Sequence, residues 1–311
     1  MKQVYLVTGG AGFIGSAIAR RLVNQGNSVI IADNLSTGYQ SNVPPGSLFI
    51  EMDVSNPEHY SRLPSERFDA VLHLAAQSSG EASFLDPWYD YNSHVTATFL
   101  LQEFCRKRDI KRFLYASSMS VYGDPQCLPV DELHPVNPKT YYGAGKVAAE
   151  AYVNLYSSLG IDTTVFRMFS VYGPNQNFAN KMQGMLSIYL SFIFENSPIL
   201  VKGSKKRFRD FVYIDDVVDA WLAALDNPIT FGRTYNLGSG RQTMVGDLLR
   251  MIVECAGRID YPIEYGANTP GDQFGMYADI SRLKVDLNWE PRWALREGIS
   301  SMFDKHYSRS L

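Results

Sequence analysis

Hydrophobic positions change rhythm along the chain in a way that separates strands from helices. Positions 4–7 form a short apolar run closed by glycines, and after it Phe13, Ile14, Ala17, Ile18, Ala19, Leu22 and Val23 recur at helical spacing. This predicts strand, tight turn, helix. Short apolar runs return at 28–32, 48–52, 70–74, 113–116 and 163–166, with helix-length segments between several of them. Such alternation predicts an α/β fold, a Rossmann-type doubly wound parallel sheet with helices on both faces. After Ser170 the rhythm breaks into a Gly-Pro-Asn turn, a long helical stretch over 182–194 and shorter mixed elements. The expected division is therefore a sheet domain over 1–170 with a return segment near 208–230, and a smaller α/β lobe from 171–207 and 231–311. No Gly/Ser-rich linker or repeat separates them, so closely packed lobes are expected, with ligands at the carboxyl ends of the strands.

Composition narrows the partners. The 311 residues are 45% hydrophobic and 20% charged, with a net charge of −3. Lys and Arg are scattered, so no footprint for nucleic acid or an anionic membrane appears, and small-molecule partners are expected. Cys105, Cys127 and Cys255 are odd in number and widely spaced, and neither they nor the 5 histidines show ligand or triad spacing. No metal site is expected, and a reducing compartment is. The first apolar run is too short for a signal peptide, and no run approaches the ~18 residues of a membrane span, which predicts a cytoplasmic protein.

The glycine turn from Gly9 onward, with Gly10-Ala-Gly12-Phe-Ile-Gly15, follows a strand and opens a helix, the context in which such a motif signals a dinucleotide site. Gly12 lets the backbone approach a pyrophosphate, whose charge meets the free N–H groups of the helix N-terminus, and Gly15 lets helix and strand pack closely. Asp33, at the end of the second strand, is placed to accept hydrogen bonds from both adenosine ribose hydroxyls. It would repel a 2′-phosphate, and no Arg or Lys lies between it and Thr37, so NAD is expected over NADP.

Tyr142 and Lys146 stand four apart, on one face of any helix beginning near them. An ammonium beside a phenol lowers its pKa from ~10 toward working pH, which makes Tyr142 a candidate base. Ser118, at the end of a strand, offers a hydroxyl to the same substrate oxygen. Arg209, next to Asp210 and an aromatic strand, suits a bidentate grip on a diphosphate, whereas Lys205 and Lys206 read as a solvated turn.

Six ordered segments, TGGAGFIG at 8–15, HLAAQ at 73–77, SSMSVYG at 117–123, the Tyr142 to Lys146 segment, RMFSVYGP at 167–174 and RDFVYIDDV at 209–217, resemble the extended short-chain dehydrogenase/reductases, nearest to the UDP-glucose 4-epimerase-like nucleotide-sugar epimerases. The resemblance implies Tyr142 as base, Lys146 as its activator and nicotinamide-ribose ligand, and Ser118 completing a proton relay. It implies Phe13 and Ile14 over the pyrophosphate, with Asn34, Ser36, Thr37 and Gly38 around the adenosine ribose. Asp53 and Val54 would flank adenine, and Leu74, Ala75, Ala76 and Gln77 would line the cofactor's other side. Phe169, Ser170 and Arg209 would face the nucleotide sugar. A homodimer is also implied, with helices near 95–106 and 146–158 as the candidate interface.

Several positions depart from the family's pattern. His94 and Ser170 stand where Asn is frequent, both read as ligand-facing, and Gly145 stands where Ser is common. Thr269-Pro-Gly271-Asp272 replaces an Arg-x-Gly-Asp segment, which removes a second arginine from the diphosphate site. Met119-Ser120 follows Ser118 where related dehydratases and decarboxylases carry carboxylates, so elimination and decarboxylation are disfavoured. The expected activity is nucleotide-sugar 4-epimerisation through a transient 4-keto sugar. The alternatives are an NAD(P)H-dependent reductase of a nucleotide-4-keto-sugar and a non-enzymatic NAD-sensing regulator.

Overall fold

A computed structural model of the chain describes residues 2–308. Its strands are β1 (Val4–Thr8), β2 (Ser28–Asp33), β3 (Leu48–Glu51), β4 (Ala70–His73), β5 (Arg112–Ser118), β6 (Asp162–Met168), β7 (Ser170–Tyr172), β8 (Ile199–Lys202), β9 (Phe208–Arg209), β10 (Phe211–Tyr213), β11 (Arg233–Leu237), β12 (Thr243–Met244) and β13 (Ile263–Gly266). The helices are α1 (Phe13–Asn24), α2 (Pro87–Tyr91), α3 (Ala97–Lys107), α4 (Tyr141–Ser158), α5 (Met185–Phe194), α6 (Ile214–Leu225), α7 (Val245–Cys255), α8 (Ser281–Leu287) and α9 (Leu295–Tyr307). A π-helical turn, Asn92–Thr96, joins α2 to α3.

Seven strands form a parallel sheet in the order β11-β6-β5-β4-β1-β2-β3. The chain runs outward from β1 to β3, then crosses to β4 and runs the other way. A crevice therefore opens between the carboxyl ends of β1 and β4, where doubly wound sheets bind ligands. Period-two alternation fills both faces of the sheet. Tyr5 and Val7 of β1 pack in one core with Ile18, Leu22 and Trp221, while Leu6 between them packs in a second core with Leu101, Cys105 and Val153.

The sheet extends past the expected return segment. Arg233–Leu237, assigned from sequence to the smaller lobe, is the edge strand β11 paired with β6. Its first residues, Arg233 and Thr234, are polar and not fully buried, so an apolar-run criterion passes over it. The stretch expected to be helical over 182–194 starts later, at Met185, because Gly184 takes φ 80.

The C-terminal region adds short two-stranded ribbons, β10-β7, β12-β9 and β13-β8. Its apolar residues Leu186, Tyr189, Ile199 and Phe303 belong to the same core cluster as Tyr5 and Val7, so one continuous core joins sheet and lobe. Among the described residues, no helix is long and apolar enough to cross a membrane.

Candidate active site

A cavity of about 730 Å3 opens where the sheet meets the C-terminal lobe. The glycine turn forms one end of it. Gly9 takes φ 70, and a Cβ there would lie 2.6 Å from the Ala75 nitrogen. This is the turn's left-handed residue, so the tight-turn role falls on Gly9. A Cβ on Gly15 would collide with the Gly9 carbonyl, and one on Gly38 would stand 2.8 Å from the Ala11 carbonyl. Thr8 Oγ1 lies 2.8 Å from His73 Nδ1, and His73 Nε2 lies 3.1 Å from Thr98 Oγ1. Burial, with Lys146 nearby, pushes His73 down to about 3, so its ring is a neutral strut between β1, β4 and α3.

The residues at this end fit a dinucleotide. Gly12 is the N-cap of α1, no side chain caps that end, and its first turn holds no acidic residue, so the free N–H groups and helix dipole remain available to a pyrophosphate. Asp33 is buried and accepts from Ala11 N at 2.9 Å and Leu35 N at 2.8 Å. Burial raises its pKa and those two bonds oppose the rise. Each oxygen keeps a lone pair for a ribose hydroxyl. Asp53 is held by Ser55, through N at 2.8 Å and Oγ at 2.7 Å.

Further along the wall, β5 ends at Ser118 and α4 begins at Tyr141. Thr140 caps α4 by accepting from Gly143 N at 3.0 Å, which sets Tyr142 and Lys146 on its first turns. Lys146 Nζ donates to the Ala116 carbonyl at 2.7 Å and lies 5.8 Å from the Tyr142 ring centroid. Burial pushes Lys146 down to about 7, against the pull of Asp90 and Glu150. Tyr142 goes the opposite way from the expectation: burial raises its pKa, with only the Ser118 hydroxyl lowering it. The ammonium, tied to a carbonyl, does not by itself overcome the cost of burying a phenolate. Of the two adjacent serines, Ser117 is engaged by Glu150, which Arg167 holds at 2.7 Å. Ser118 Oγ accepts from Ser120 N at 3.2 Å.

His94 is not a cavity residue, contrary to the ligand-facing reading. It is buried in the π-helical turn, edge-on to Tyr142 with ring centroids 5.2 Å apart. Its Nε2 is 3.5 Å from Asp90 Oδ1. Burial, then Lys146, hold it down at about 4. A Cβ substituent on Gly145 would press on His94, since the Cβ position itself is already 3.0 Å from both His94 Cβ and Cδ2. The departures at 94 and 145 are thus one steric arrangement.

At the other end stand Ser170 on β7 and Arg209 on β9. Arg209 Nη2 meets Asp272 Oδ1 at 2.6 Å and also donates to the Gln273 carbonyl at 2.9 Å. Asp210, its sequence neighbour, is wholly buried and accepts from Ser239 N, Gly240 N and Ala278 N, a structural knot apart from Arg209. Arg207, next to the Lys205 and Lys206 turn read as solvated, is buried, lines the cavity and also pairs with Asp272.

Of the residues expected at the site, Gly9, Gly12, Phe13, Ile14, Gly15, Asp33, Asn34, Ser36, Thr37, Gly38, Asp53, Val54, Leu74, Ala75, Ala76, Gln77, Ser118, Tyr142, Lys146, Phe169, Ser170 and Arg209 line this cavity, while His94 does not. Sequence reasoning missed Arg207, Asp272, Tyr189 and the Glu81–Lys202 pair, which is 2.8 Å across. For Arg207 a signal existed: it is two residues from Arg209 on an extended segment, hence on the same side.

The model of the NAD dependent epimerase/dehydratase family matches residues 5–238. A putative UDP-glucose 4-epimerase of Methanocaldococcus jannaschii is 37% identical over 298 residues, covering 94% of this chain and 95% of that protein. Among solved structures, the Thermotoga maritima UDP-glucose 4-epimerase with UDP-glucose superposes with TM-score 0.95 at 31% identity, covering 99% of this chain and 100% of that one. The Thermus thermophilus UDP-glucose 4-epimerase complex with NAD gives TM-score 0.91 at 30% identity, over 98% of this chain and 99% of that one.

Proposed function

This chain belongs to the NAD dependent epimerase/dehydratase family, and from that premise we propose that it is a 4-epimerase of a UDP-sugar, working through a 4-keto sugar with Tyr142 as base. The observation that carries the reading is that one cavity is lined by Tyr142, Lys146 and Ser118 together with the glycine turn at Gly9, Gly12 and Gly15 and the arginines Arg207 and Arg209, with Met119 and Ser120 following Ser118. NAD, when bound, supplies a reversible hydride acceptor at the sugar's C4. The chain's own groups handle the proton and the orientation.

Tyr142 takes the proton from the C4 hydroxyl and returns it after the sugar has turned over, while Ser118 donates to the same oxygen. Lys146 holds the nicotinamide ribose and favours the phenolate when its ammonium forms. Burial disfavours each ion alone, which couples the two: phenolate and ammonium are cheaper together than apart in that pocket. Arg209 binds the diphosphate, and Phe169 and Ser170 flank the nucleotide sugar. Met119 and Ser120, the positions directly after Ser118, supply no carboxylate there for elimination or decarboxylation.

The reading includes a cytosolic homodimer. Its support is that α3 and α4 pack together yet leave Phe99 and Leu155 exposed, and that α2, which also packs on α4, exposes a stacked Trp88–Tyr91 pair. A sedimentation mass near 35.0 kDa at micromolar concentration would refute it.

The test of the reaction class is cofactor bookkeeping. An epimerase regenerates NAD each turnover, so protein purified without additions should release close to one equivalent on denaturation. Stoichiometric consumption of NADH with a 4-keto sugar would replace this reading with the reductase.

A further inference from the structure

Arg207 is the feature of the cavity that the sequence reading leaves without a ligand role. Its guanidinium lies over Gly203, where a Cβ would stand 3.2 Å from its Cζ, so the glycine makes room for it. Lys202 and Ser204 carbonyls accept from it, and Tyr189 is near both it and Arg209. Arg207 and Arg209 are 5% and 6% exposed, and both meet the one carboxylate of Asp272.

Two buried guanidiniums and one carboxylate leave a net positive charge in the wall. Arginine does not shed its proton at working pH, and an uncompensated buried charge is costly. Neither Lys205 nor Lys206 can relieve it, being cations themselves. The charge asks for an anion from the cavity, and the Asp272 carboxylate marks where the two forks converge. A diphosphate presents two negative charges with spread oxygens, the geometry that paired guanidinium forks bind.

We propose that Arg207 is a second diphosphate-binding arginine, acting beside Arg209 and supplying the charge that Thr269 does not. The assignment rests on the nucleotide-sugar reading above. It also gives Asp272 a defined part, holding the two guanidiniums in register until the diphosphate shares them. The turn that bears Asp272 packs against the cap of α4, since a Cβ on Gly271 would lie 2.5 Å from Cγ2 of Thr140.

Titration calorimetry with UDP, uridine and inorganic pyrophosphate, on NAD-loaded wild type, Arg207→Gln and Arg207→Lys, tests it. Loss of a charge-assisted contact should weaken UDP roughly 10- to 100-fold in Arg207→Gln. Uridine should bind unchanged, Arg207→Lys should recover part of the loss, and the activity loss should fall on KM more than on kcat. A merely structural Arg207 would weaken uridine and UDP alike, and equal UDP affinity in wild type and Arg207→Gln would equally overturn the proposal. Wild type binding neither UDP nor pyrophosphate would overturn the nucleotide-sugar reading itself, and this inference with it.

Discussion

At the Asp33 end of the cavity the ligand-facing surface is mostly main chain: the Gly9 turn, the uncapped start of α1 and a carboxylate fixed by two backbone N–H groups. At the Arg209 end it is mostly side chain: two guanidiniums, a carboxylate 63 residues away from Arg209 in sequence, and the Glu81–Lys202 pair. A main-chain site tolerates few changes, because a Cβ in the wrong place strikes backbone that has nowhere to go. A side-chain site can keep its charge while moving the residue that carries it, as the Thr269 and Arg207 positions illustrate. The first kind of site suits a constant cofactor, the second a substrate that differs among relatives.

The largest expected effect lies between the two ends. Tyr142→Phe should lower turnover at least ~100-fold while NAD still co-purifies, the usual scale for losing a general base. Full activity in that variant, followed by sugar NMR, would remove Tyr142 from the chemistry.

Breaking the main-chain end should cost cofactor and stability together. Gly9→Ala forces a left-handed alanine against the Ala75 backbone, and overpacking of this kind costs about 1–3 kcal/mol before strain is added. The expected outcome is loss of bound NAD and a lower urea midpoint, in contrast to Arg207→Gln, which should keep its NAD. If Gly9→Ala retains a full equivalent of NAD, the contrast between the two ends fails.

Lys146 connects function to stability. Its folded pKa is depressed to about 7 from 10.5 by burial. Below pH 7 both folded and unfolded states hold the proton and the whole burial penalty is present. Between pH 7 and about 10 the folded state sheds it while the unfolded chain does not, so folding stability gains as pH rises. In NAD-free protein, the Tm advantage of Lys146→Met over wild type should therefore shrink from pH 6 to pH 9. A difference that stays flat with pH would mean Lys146 is not desolvated.

The smallest effect tests the packing behind Tyr142. Gly145→Ser should slow turnover severalfold, because its Cβ crowds His94, and the added change His94→Asn should restore it. Simple additivity of the two losses would separate the positions.

The contrast also explains what could be read from the chain. The glycine turn, Asp33 and the Tyr142 to Lys146 spacing are local in sequence, and their geometry follows from helix and strand periods, so they were legible. β11 was not, because its opening polar residues lie at a sheet edge and break the apolar run. The Asp272 link to Arg207 and Arg209 depends on how distant segments fold together, and no spacing announces it. The rise in the Tyr142 pKa was misjudged for a similar reason: sequence shows a neighbouring lysine, while burial and the Ala116 carbonyl that holds Lys146 belong to the fold.

The most direct measurement is proton NMR of UDP-sugars, including UDP-glucose and UDP-galactose, incubated with purified protein and no added cofactor. The account predicts that at least one sugar converts to its C4 epimer and approaches the same equilibrium from either side. No stereochemical change in any of them, with NADH oxidised once a 4-keto sugar is supplied, would contradict it.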